Sequence, residues 1–298
     1  MENAVTRALK DMYMKDGKVR IGMVNYINTA PIYEVWKDTI DDDRFEVIEE
    51  PPLVLNRMLA SSSIDLGFVS SYEYCRRPEK YRILRDLSIS STGPVGSVFL
   101  FAHVPLEQLD KQLVLLSNQS ETSVCLVKII LEEHYGLQPQ YIIGGVNGEL
   151  SSSCQAVLAI GDDALRLVTS GKYAYQYDLG EMWHGRTGLP FVFSVCVVRQ
   201  SFCREHGALV REVWENLISC RHQGREQMYT ICERVAPRIP LDLDKCYSYL
   251  QALEHDLGEK KCLALEKFFG FLVARGEASE LSLPLKFFPE DQTPEHRR

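Results

Sequence analysis

The sequence reads as an α/β protein in two lobes. Three observations lead there. Strand-like and helix-like segments alternate through the first two thirds of the chain. Its 298 residues suit two lobes better than one. Two strongly apolar β runs, 97–102 and 191–198, lie where the chain could cross between lobes.

The elements follow in order. A β-branched strand over 18–25 runs into Asn28-Thr29-Ala30-Pro31 and a helix over 30–36. A strand over 44–49 precedes a helix over 54–60, where Leu55, Met58 and Leu59 fall at helical spacing. A short apolar strand, 65–69, leads through Ser70-Ser71 into a helical turn ending at Arg77. After the crossover run 97–102 come a strand over 113–116 and a helix from Ser120 to Tyr135, closed by Gly136. Strands are expected over 141–143 and 156–160, and a helix over 163–169 that stops at Gly171. Beyond residue 200 the pattern is helical: 202–224, 227–235, 243–256 and 260–275. If both apolar runs are crossovers, lobe one is 18–101 plus 195–290 and lobe two is the inserted 102–194. Residues 1–17 then form an N-terminal extension, and the polar last ten residues fray. A cleft between lobes is a usual place for a small ligand.

Composition narrows the function. Net charge is −8, with 41 acids against 33 bases and no basic cluster interleaved with aromatics, which argues against nucleic acid. An anion site in such a chain needs local donors, because the overall field repels anions. Nine scattered cysteines without a C-x-x-C pair read as reduced thiols. Residues 1–16 carry no apolar signal core, and no apolar run nears the ~20 residues of a membrane helix. The expectation is a cytoplasmic chain that spans no membrane. No His/Cys spacing suggests a metal, no feature calls for a cofactor, and no G-x-S-x-G, P-loop or G-x-G-x-x-G is present.

Four elbows share one design of strand, small polar residues and helix start. They are Asn28-Thr29, Ser70-Ser71, Ser120-Glu121-Thr122-Ser123 and Asp162-Asp163. The first turn of a helix leaves N–H groups without intrahelical partners, and with hydroxyls nearby it can hold an anion. Each elbow can equally be an ordinary cap. The runs 88–97, rich in Ser and Gly, and 178–191, carrying Trp183, read as a ligand-approaching loop and a lobe-linking turn. Gly144 to Gly148 reads as a plain turn. His103 ends a crossover strand near the expected hinge, either as a general base or as a structural histidine.

Several motifs carry a resemblance. VNYINTAP (24–31), DLSISSTGPVGSVFLF (86–101), SETSVCL (120–126), IGDDAL (160–165), DLGEMW (178–183) and TGLPFVF (187–193) resemble the chorismate dehydratases of the futalosine route to menaquinone. The likeness covers about residues 18–200 in order. It implies a two-lobed fold like the type II periplasmic binding proteins, with the ligand cleft between the lobes. It also implies a hydro-lyase that converts chorismate to 3-[(1-carboxyvinyl)oxy]benzoate. By the same resemblance Asn28 and Ser97 are the catalytic candidates. Ser120, Thr122 and Ser123 would meet one carboxylate and Ser70, Ser71 or Ser91 the other, with Asp162 as a further substrate-binding candidate. The sister enzyme 1,4-dihydroxy-6-naphthoate synthase and a solute-binding protein are the alternatives. Ala102-His103 departs from the family pattern, which has a small hydroxyl residue there. The sister enzyme is associated with a His base.

Overall fold

The computed structural model describes residues 17–290 except Asn25, Asn147 and Pro240. The N-terminal extension up to residue 16 and the last eight positions of the polar tail lie outside the described residues.

The first lobe is a six-stranded sheet. Strand β1 (Val19–Val24) lies one in from the sheet edge, and its Val19, Ile21 and Met23 are fully buried. The chain continues through a short turn into α1 (Ala30–Thr39), then β2 (Phe45–Glu50) and α2 (Pro52–Ala60). Next come β3 (Leu66–Ser70), α3 (Ser71–Arg76) and β4 (Tyr81–Ser91). The second lobe is a five-stranded sheet of β5 (Val98–Ala102), β6 (Leu113–Ser117), β7 (Gln140–Gly144), β8 (Ala156–Ile160) and β9 (Tyr175–Asp178). It carries α4 (Glu121–Lys128) after β6 and α5 (Gly161–Ser170) after β8. The return path is α6 (Leu179–Thr187) and then β10 (Phe191–Arg199), which rejoins the first sheet. Helices α7 (Gln200–Glu226), α8 (Met228–Val235), α9 (Leu243–Ala252) and α10 (Glu259–Ala274) pack around lobe one. A two-residue strand, β11 (Phe287–Phe288), closes its edge.

Strand direction decides where the site lies. In lobe one β1 is parallel to β2 and β3, and β10 runs antiparallel between β3 and β4. In lobe two β6 is parallel to β7 and β8, and β5 is antiparallel to β8 and β9. The carboxyl ends of β1, β3, β6 and β8 therefore open toward one cleft, where open α/β sheets bind ligands.

Sheet membership moves both handovers from where the sequence put them. β5 pairs only within the second sheet, so 98–101 leave lobe one. β10 pairs only within the first, so 191–194 leave lobe two. The connections are the loop 92–97 and the segment of α6 with residues 188–190. The 178–191 run is thus a strand end, a helix and a short link rather than a turn, with Trp183 fully buried.

Part of the run 88–97 is strand, not loop. Ser88 and Ser90 are buried in β4 because their main chain and hydroxyls pair with carbonyls of Glu254, His255 and Asp256. That partner segment comes from far along the chain and is invisible locally. β9 was also unread, since Tyr175 and Gln176 face solvent on an edge strand.

Candidate active site

Asn28 sits on a one-turn 3-10 helix, Ile27–Thr29, between β1 and α1. Thr29 Oγ1 donates to the carbonyls of Val24 (2.8 Å) and Tyr26 (3.0 Å), folding the elbow back on the strand end. Pro31, the second residue of α1, costs the helix nothing, because a first-turn N–H has no helical partner. Asn28 therefore spends nothing on a cap. Its Oδ1 is buried with no hydrogen-bond partner among the described residues. A buried orphan acceptor in a native fold calls for an explanation, and a ligand is one.

Ser97 lies at the lobe-two end of the 92–97 connection. Asp178 holds that loop by accepting from the N–H groups of Val95 and Gly96, while also capping α6 through Gly180 and Glu181. Gly180 must be glycine, since a Cβ there would lie 2.6 Å from the Gly93 carbonyl oxygen. The Ser97 carbonyl accepts from Gly161 N–H at 2.8 Å. Its hydroxyl meets the Tyr249 phenol at 3.0 Å.

Between the lobes these residues enclose a narrow cavity of about 60 Å³. Asn28 and Ser70 line it from lobe one, and Ser97, Ser120 and Ser123 from the connection and lobe two. Ile89, Val98, Ile160, Phe193 and Leu253 supply an apolar wall. Among the described lining residues none is charged. A larger cavity of about 250 Å³, edged by Arg221, His222 and Arg225, lies in lobe one on the far side of Leu253 and His255. The inter-lobe cavity is the candidate, because it gathers both lobes at the carboxyl ends of their strands.

Nine residues were expected here, and the cleft brings together five. Ser71 is fully buried and donates to the Val192 carbonyl at 2.7 Å. Ser91 is fully buried and turned to the Gly93 carbonyl. Thr122 accepts from Tyr72 N–H at 3.0 Å, which ties α4 to lobe one rather than to a ligand. Asp162 lies outside the cavity lining, beside Tyr26 and Glu49. Burial and neighbouring Asp163 raise its pKa against the pull of Arg166, and a carboxylate there would repel an anion. None of these four lines the inter-lobe cavity: three hydroxyls are bonded to neighbouring backbone groups, and Asp162 lies along an adjoining pocket. Ser120 both lines the cavity and caps α4, accepting from Ser123 N–H at 3.2 Å. Ser70 accepts from Asn56 Nδ2 at 2.8 Å.

Of the two readings left open for His103, the structure favours the structural one. It follows the end of β5 opposite Ser97, is exposed, and packs on Tyr173 with tilted rings 4.6 Å apart between centroids. Five residues of strand, roughly 17 Å, separate it from the cleft. Sequence reasoning missed Tyr249 and His255. The His255 Nε2 lies 2.7 Å from the Asn28 carbonyl oxygen. A tyrosine and a histidine in an amphipathic helical third carry no local signal of such contacts.

Across the cleft, Tyr26 donates to Gln119 Oε1 at 2.7 Å, and Gln119 donates to Asp163 at 3.1 Å. Burial, with Asp162 and Asp163 nearby, pushes the Tyr26 phenol up to about 12, so it stays a donor.

What fold and cleft define together is a two-lobed α/β protein that takes a small molecule between its lobes. A family model described as menaquinone biosynthesis matches residues 19–274, and the chain belongs to that family. It is 31% identical over 288 residues to a chorismate dehydratase of Thermus thermophilus, across 91% of this chain and 98% of that protein. It is 25% identical over 252 residues to a chorismate dehydratase of Campylobacter jejuni, across 83% of this chain and 94% of that one. In architecture it is similar to the periplasmic aliphatic sulphonate binding protein SsuA of Escherichia coli. The TM-score there is 0.65 at 16% identity, over 93% of each chain. The fold is the periplasmic-binding-protein type that the resemblance implied. The same comparison corrects the expectation of a cytoplasmic location: the architecture is shared with periplasmic proteins, and that expectation is withdrawn.

Proposed function

We propose that the chain binds chorismate between its lobes and removes one molecule of water from it, giving 3-[(1-carboxyvinyl)oxy]benzoate. Its family and its relatives support a lyase of menaquinone biosynthesis. The observation that carries the reading at the level of the site is the pairing of Asn28 and Ser97. A buried orphan acceptor and a serine hydroxyl line one uncharged cleft.

The chemistry fits neutral donors. The reaction takes the proton from C3 and hydroxide from C4, forms the C3=C4 bond and leaves an aromatic ring. The ring carboxylate, conjugated through C1=C2, acidifies the C3 proton. Hydrogen bonds to that carboxylate stabilise the dienolate as it forms, in the manner of an oxyanion hole. Ser120, Ser123 and the first-turn N–H groups of α4 suit this task, because a helix start favours an anion without a cation.

No acid, Lys or His lines the cavity among the described residues. The base in this reading is the substrate's own enolpyruvyl carboxylate, which takes the C3 proton and passes it to the departing hydroxyl. The Asn28 Oδ1 accepts from the C4 hydroxyl, and Ser97 holds the same ring edge. Both residues fix geometry, and orientation of this kind removes much of a barrier. A cavity of about 60 Å³ has room for about two waters. The lobes therefore move apart about their two connections to admit the substrate.

Incubation of the purified chain with chorismate tests the reading. The expected product is lighter by one water in mass spectrometry. Chorismate bound but recovered unchanged would instead make the chain a solute-binding protein.

A further inference from the structure

Helix α9 and the link that follows it reach Ser97 and Asn28 from behind. Tyr249, on α9, donates its phenol proton to Ser97 Oγ at 3.0 Å. A Cβ at Gly96 would lie 3.4 Å from the Tyr249 ring, and Gly96 has φ +71°. The ring thus lies in contact distance of the left-handed backbone just before Ser97. The main chain around Ser97 is already fixed through Asp178 and Gly161. What the Tyr249 bond adds to this fixed backbone is control of the Ser97 side chain and of its hydroxyl proton. A serine oxygen has one proton and two lone pairs. Once Tyr249 occupies a lone pair, the proton is turned away from the phenol. Burial raises the Tyr249 pKa, so the phenol remains a donor.

His255 treats Asn28 in a parallel way. A carbonyl only accepts, so His255 Nε2 carries the proton of the 2.7 Å bond to the main-chain carbonyl oxygen of Asn28. The histidine is itself anchored to a rigid strand: Ser88 N–H donates to the His255 carbonyl at 3.0 Å, and Glu254 and Ser90 exchange main-chain bonds at 2.9 Å.

We propose that Tyr249 and His255 are positioning residues for the dehydration, Tyr249 aiming the Ser97 hydroxyl and His255 seating the turn that presents Asn28. The proposal rests on the reading of the cleft given above.

Steady-state kinetics on the full chain with chorismate test it. Tyr249→Phe lowers kcat by about tenfold to a hundredfold, with KM and melting temperature unchanged. In a Ser97→Ala background the same change costs nothing further, because the two side chains act as one unit. Single-turnover measurements at high enzyme concentration supply the small rates that comparison needs. His255→Gln restores a donor to the Asn28 carbonyl and keeps most of the activity, whereas His255→Leu loses it.

Wild-type kcat in Tyr249→Phe overturns the proposal, as does an equal proportional loss with and without Ser97. Equal losses in His255→Gln and His255→Leu overturn the role of His255. If the wild-type chain makes no product from chorismate, the reaction itself falls and the proposal with it. If it does make product, failure of the variants to respond removes the positioning roles alone.

Discussion

The two ends of the lobe-one sheet are built by opposite rules. At the amino end of β1 and β3, Asp65 is buried between Arg20 and Arg199. It accepts from the Arg20 main chain and side chain, and Arg199 also bonds the Ile64 carbonyl. Each of these three charged groups has an oppositely charged partner. At the carboxyl end, about six residues of strand away, the lining is uncharged and Asn28 Oδ1 has no partner. An unsatisfied buried acceptor costs about 1–3 kcal/mol. The fold saturates the end that holds it together and leaves unsatisfied the end that meets a ligand.

The largest effect that would break this contrast is at Asn28. Asn28→Ala should lower kcat by about 10²–10³-fold, the scale of losing one preorganised contact to the reacting centre. Urea denaturation should show its stability at or above wild type, since the orphan acceptor is gone. A large loss of stability would mean that Asn28 belongs to the structural end of the sheet.

Asp65→Asn is the reciprocal change. Removing one member of a buried charge cluster should cost about 3 kcal/mol, read by urea denaturation, with kcat on chorismate unchanged. The pH dependence sharpens the point. Burial alone would raise the Asp65 pKa, but Arg20 and Arg199 hold it below its ordinary 3.8. A carboxylate depressed in the folded state adds stability that is fully present above about pH 4 and lost as pH falls through the folded pKa. The wild type should lose stability faster than Asp65→Asn on acidification below that point. Parallel curves would remove Asp65 from the account.

A smaller effect is expected at the lobe-two elbow. Ser123→Ala removes one hydroxyl facing the cleft and should raise KM by roughly tenfold, the worth of one hydrogen bond to a charged group, with kcat little changed. The smallest is at His103, where His103→Ala should leave both constants unchanged. A collapse of activity there would favour the naphthoate synthase reading despite the distance.

Much of this was legible in the sequence. The alternation of elements gave two lobes, the elbows pointed to Asn28, Ser70, Ser120 and Ser123, and the family resemblance pointed to Ser97 at the end of the run 88–97. What the pattern could not distinguish was which hydroxyls the fold had already used. Ser71, Ser91 and Thr122 look like Ser70 and Ser123 on the page, but Ser71 turns to the Val192 carbonyl, Ser91 to the Gly93 carbonyl and Thr122 to the Tyr72 N–H, and none of the three lines the cleft. β4 was hidden for the same reason, its buried serines making sense only against residues 254–256. Tyr249 and His255 read as ordinary residues of an amphipathic helical region, because their partners lie 152 and 227 positions away.

The central claim is that chemistry belongs to the uncharged cleft rather than to the more basic cavity beside Arg221 and Arg225. A crystal structure of Asn28→Ala with chorismate tests this most directly. The expected density lies between the lobes, with a carboxylate at Ser120 and Ser123 and the ring edge beside position 28 and Ser97. Chorismate seated instead against Arg221 and Arg225, with nothing between the lobes, would contradict it.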